Sequence, residues 1–270
     1  MSVSVESAAD KVKQGEGGGA KGGGGASGGG GGSATLKGAD YASGAASLEP
    51  KAEDEHGHSH GAEPEPGKAD AAKAPERTDG ADIPVDVRTS VLGKLEALPR
   101  SKATLDNIKK AKGNLDFPIK WSKQGTFHSS GSVFIRSTST EDSWVGSLAH
   151  ELVHLETFVT GNAANPKTDA KDKFVEKKME DEINAQAACY IALMQKGEKS
   201  NGSQAGYDDW IPWVGKNHAD LVKAKKWSEI EVAAKAWIKG KYKSEWVTNN
   251  TKENYYTYWG NHWDKVNAKK

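Results

Sequence analysis

All nine tryptophans of the chain lie after residue 120, and the first 82 residues hold a single aromatic side chain, Tyr41. A stretch so poor in large apolar groups cannot bury enough surface to offset the entropy of ordering it. Its spelling agrees: the glycine run "GEGGGAKGGGGASGGGGG" passes into "KAEDEHGHSHGAEPEPGKADAAKAPERTDGAD". The expectation is a disordered Gly/Ala/His-rich tail over residues 1–82 and one folded domain over residues 83–270. A domain of that length buries roughly 70% of its unfolded surface.

Charge excludes some partners. The 37 Lys and Arg balance 37 Asp and Glu, interspersed, so there is no electrostatic footprint for nucleic acid and no polybasic membrane patch. Cys189 is the sole cysteine, so neither an internal disulfide nor a cysteine-based metal site can form within the chain. No run of about 18 apolar residues offers a membrane span, and "MSVSVESAADKVKQGEGGG" lacks the apolar centre of a classical signal peptide. The expected location is the cytoplasm of the producing cell, with any export by another route.

From residue 83 the pattern becomes periodic. Val87, Val91, Leu95 and Leu98 have helical spacing, with Pro99 read as the end of that run, and a second short helix carries Leu105 and Ile108 up to Gly113. Ile119 and Trp121, then Val133 and Ile135, alternate with their neighbours as in two short strands. Thr140 is placed to cap a helix over about 141–160, with Gly161 as its stop. A long amphipathic helix follows over about 171–195, and the Trp-rich remainder reads as helical pieces.

The helix over 141–160 carries the chemistry. "SLAHELVHLETF" contains His150, Glu151 and His154 as H-E-x-x-H. Residues four apart lie about 6 Å along a helix and about 40° around it, so the two imidazoles can share one ion. Glu151, about 100° from His150, misses the metal and is placed to act as general base toward a water there. Two histidines leave zinc short of a third protein ligand. The metzincin continuation would need Gly at 157 and His at 160, where Thr157 and Thr160 stand.

"HELVH", followed some thirty residues on by "MEDEINAQAACY", resembles zincin metallopeptidases of the gluzincin type. The resemblance implies a zincin-like α+β fold, mostly helical with a small sheet. It also implies Zn2+ on His150, His154 and a glutamate of the next long helix. Glu182, within "EINAQ", is the preferred third ligand and Glu180 the competitor; about 160° separates them around a helix, so one binds. In such enzymes a strand ahead of the metal helix pairs with extended substrate, here "SVFIR" with Val133 to Arg136. The transition-state group comes from farther along, with Tyr255, Tyr256, Tyr258 and His262 as candidates.

The expected activity is zinc-dependent hydrolysis of a protein or peptide substrate, with Glu151 as catalytic base. Residues 34–50, "ATLKGADYASGAASLEP", resemble short segments ahead of the toxic domain in cargo proteins of bacterial contractile injection systems. The layout also resembles metallopeptidase domains of polymorphic bacterial toxins, which implies a delivered effector whose tail meets secretion or injection machinery. His56, His58 and His60 in the tail read as a solvated linker. The rival reading is a noncatalytic module whose Trp- and Tyr-rich C-terminal part grips a glycan or a protein surface.

Overall fold

The structure, a computed structural model, describes residues 77–202, 204–248 and 251–268. The tail histidines and the 34–50 island lie outside the described residues. In chain order the elements are α1 (Val85–Glu96), α2 (Pro99–Lys112), β1 (Ile119–Ser122), β2 (Phe127–Ser129), β3 (Ser132–Arg136), α3 (Glu141–Val159) and α4 (Lys171–Lys196). Then follow α5 (Tyr207–Asn217), α6 (Ala219–Lys223), α7 (Trp227–Ser244) and α8 (Tyr255–Asn267). The architecture is mostly helical with one three-stranded sheet. No described helix is long and apolar enough to cross a membrane.

Pro99 does not merely stop α1. It opens α2, where its missing N–H would have had no helical partner and its fixed φ suits the first turn. The described residues also begin before Ile83, at Arg77. That side chain donates to the carbonyls of Ser137 and Ser139 and lies 4.7 Å over the Trp121 ring, while Gly80 and Ile83 bond to the β1 backbone.

The sheet order is β1-β3-β2, with β1 parallel and β2 antiparallel to β3. The expected two strands are therefore three. β2 is only three residues long and half-buried throughout, so it shows no alternation of apolar and polar residues. It returns to β3 through Ser130 and Gly131, both at positive φ. β3 is central: β1 pairs with it from Val133 to Arg136, β2 pairs with it from Ser132 to Phe134, and beyond that the Arg136 N–H donates to Thr126 Oγ1, so Val133 and Phe134 are paired on both sides. The open edge belongs to β2.

Two apolar cores result. One gathers α1, α2, the sheet and one side of α3 around Leu95, Ile108, Ile135, Trp144 and Leu148. The other packs α4 with α5, α7 and α8 around Tyr190, Trp210, Ile238 and Trp259. Helices α3 and α4 meet between them, where Val153 touches Ala185 and Ala188. Small residues allow that approach: a Cβ on Gly146 would meet Leu193 Cδ2 at 3.0 Å.

Candidate metal centre

α3 is deeply placed. Covered by the sheet and α2 on one side and by α4 on the other, it buries His150, Glu151 and His154 to 2%, 1% and 7% exposure. Burying such groups is costly unless they find partners or a counter-ion.

The imidazoles converge. His150 Nε2 and His154 Nε2 stand 3.1 Å apart, and Glu182 Oε2 of α4 lies 3.8 Å from each. Two nitrogens that share a tetrahedral ion at the usual ~2.0–2.1 Å are separated by roughly 3.3 Å, so the observed spacing suits a common ion. His150, His154 and Glu182 form a buried group that could hold a metal ion. Glu180, by contrast, is exposed and lines a groove facing α7.

A second layer fixes the first. His154 Nδ1 lies 2.7 Å from Asp181 Oδ2, and the Thr157 hydroxyl donates to Asp181 Oδ1 at 2.7 Å. An ionised carboxylate only accepts, so Nδ1 carries a proton, which leaves Nε2 as the nitrogen a metal ion would take. Gln186, 2% exposed, contacts His150 from α4. Deeper in, Gln204 accepts from the Cys189 thiol and donates to Ser147, one turn before Glu151. Gly206 lets that loop close: at φ +70° its Cβ position lies 2.4 Å from the Trp246 ring.

The electrostatics call for a cation. Burial works to lower His154, but Asp181 and then Glu182 outweigh it and raise the imidazole to about 10. A proton held that firmly occupies the place a metal charge would take. Burial pushes Glu151 up to about 8, with Glu182 adding to it, against the pull of His154 and the backbone N–H of His128, which donates to it. Glu151 Oε2 is buried without a hydrogen-bond partner. Among the described residues, the ion pairs of Asp181 and Glu182 are with these histidines and not with lysine or arginine.

The aromatic candidates separate. Tyr255 packs 4.7 Å from Tyr242, and its hydroxyl is raised by burial and next by Glu182. Tyr256 lines the groove beside α7, Tyr258 packs on Trp259, and His262 stacks on Phe174. Asp181, Thr157 and the His128 backbone escaped the sequence reading. A signal existed for two of them: Thr157 is three residues past His154, on its face of α3, and Asp181 adjoins Glu182.

Compared with protein-family models, curated proteins and solved structures, the chain matches none of them.

Proposed function

We propose that the protein is a zinc metallopeptidase, with His150, His154 and Glu182 as ligands and Glu151 as the catalytic base. The observation that carries the reading is Glu151 itself. A buried carboxylate with an unpartnered oxygen, beside two imidazole nitrogens and a carboxylate that converge, has no structural explanation in the packing around it. Two imidazoles and one carboxylate suit zinc and leave room for a reacting group, as catalytic rather than structural sites do.

Zinc bound there would act as a Lewis acid toward a peptide carbonyl and acidify the attacking water. Glu151 would take a proton from the attacking water and pass it to the departing amine, its basicity raised by burial. The His128 N–H aims it, and Asp181 keeps His154 in the tautomer that offers Nε2. Extended substrate would pair with the open edge of β2, Phe127 to Ser129, since β3 is paired on both sides at Val133 and Phe134. Of the four aromatic candidates we take Tyr255 to steady charge at the reacting carbonyl, because Glu182 acts on its hydroxyl.

The gluzincin resemblance and the delivered-effector layout support this reading from sequence, and the tail's part in delivery belongs to the same proposal. The test is Glu151→Gln, assayed for metal by mass spectrometry and for cleavage on a peptide library. The variant should hold about one zinc per chain and lose hydrolysis that the wild type shows. Cleavage retained by Glu151→Gln would sink the mechanism, and a wild type that binds zinc but cleaves nothing would favour the binding-module reading.

A further inference from the structure

Away from the metal centre, charges recur at four-residue intervals on two facing helices. On α4, Asp172, Glu176 and Glu180 form one row and Val175, Met179 and Ile183 another; on α7, Lys235, Lys239 and Lys243 form a third. Residues four apart lie about 6 Å along a helix, so each set is a nearly straight stripe. Together with Tyr256, Thr257, Gly260 and Asn261 of α8 they line a groove of about 950 Å³, whose α4 side carries the acidic row above the apolar one and whose α7 side carries the basic row.

The walls do not close on each other. Among the described residues no ion pair joins the two charged rows; Glu176 pairs with Lys173 and Lys235 with Glu231, each on its own helix. Opposite charges facing across an unclosed gap fit an occupant that carries both signs. Apolar surface also continues on α7, where Val232, one turn before Ala236, is 69% exposed.

We propose that this groove receives an amphipathic helix of a partner protein, with its acidic edge along Lys235, Lys239 and Lys243 and its basic edge along Asp172, Glu176 and Glu180. The repeat is what selects a helix: rows spaced at about 6 Å match the i, i+4 rows of another helix and not the roughly 3.3 Å advance of a strand. The volume corresponds to a little over two turns of a cylinder about 10 Å across. Opposite signs on the two walls fix the direction of the incoming helix, because reversing it sets like charges face to face. None of these residues is a metal-site donor, so the proposal stands or falls apart from the peptidase reading.

The probe is a fluorescein-labelled, capped 16-residue peptide with leucine at every fourth position, a glutamate row on one side of it and a lysine row on the other. A scrambled peptide of identical composition is the control, and binding to the full chain is read by fluorescence anisotropy at low salt. The ordered peptide should bind at least tenfold more tightly than the scrambled one. K239E/K243E should remove that advantage, and a peptide with its charged rows exchanged should regain it on D172K/E180K/K239E/K243E. All four positions are exposed, so these variants should keep the wild-type circular dichroism. Equal binding of ordered and scrambled peptides, or an advantage that K239E/K243E leaves intact, overturns the proposal. A concentration-dependent dimer in sedimentation that K239E/K243E dissolves also overturns it, by making the occupant a second copy of the chain.

Discussion

Asp181 Oδ2 and His154 Nδ1 stand 2.7 Å apart, on the side of the imidazole away from His150. The carboxylate fixes the ring's tautomer and raises its basicity as a donor. Asp181→Asn should therefore lower metal affinity by about 10- to 100-fold with the fold intact, and Thr157→Val by less. Chelator competition followed by circular dichroism measures both; unchanged affinity in Asp181→Asn would remove Asp181 from the site.

Glu182 and Glu180 are separated by their surroundings. Glu182→Ala should abolish stoichiometric metal, whereas Glu180→Ala, at an exposed position, should keep it. Metal content per chain after gel filtration decides, and full occupancy in Glu182→Ala would transfer the third ligand elsewhere.

Metal-free protein should lose stability as pH rises from about 6.5 toward 9. Glu151 titrates near 8 when folded and about 4.5 when unfolded, and His154 near 10 against about 6.5, so over this range the native state binds more protons. His128, lowered to about 4 by burial and then by His154, acts in the opposite sense only below about 6.5. With metal in place of the His154 proton the decline should flatten. Melting temperatures at pH 6.5 and 8.5, with and without chelator, test it; a metal-free protein more stable at the higher pH would contradict the account.

Gly206→Ala should destabilise the fold by about 1–3 kcal/mol, because it combines a strained backbone with a collision at the Trp246 ring. Urea unfolding gives the value. A loss below about 0.5 kcal/mol would show that the loop shifts freely.

Sequence sufficed where one periodicity dominated. The interval of α4 was foreseen to within one residue because Val175, Met179, Ile183 and Tyr190 form an unbroken stripe, and Gly113 and Gly161 do take positive φ after their helices. The H-E-x-x-H spacing foretold that His150 and His154 converge, because i, i+4 geometry is local. What escaped was contact between distant elements. β2 has no pattern of its own, and the order that makes β3 central follows from pairing across the sheet rather than from "SVFIR". The burial of His150, Glu151 and His154 follows from α4 covering them, which local spacing does not show.

Val153, Ala185 and Ala188 work as a spacer gauge. Their methyl groups set the separation of α3 from α4, and with it the width of the gap between the histidine nitrogens and the Glu182 carboxylate. The choice of any ion bound there would then depend on side chains that do not touch it. Ala185→Val should widen the gap and turn preference from zinc toward the larger cadmium, read as a shift in competition between the two metals, although every donor atom is unchanged.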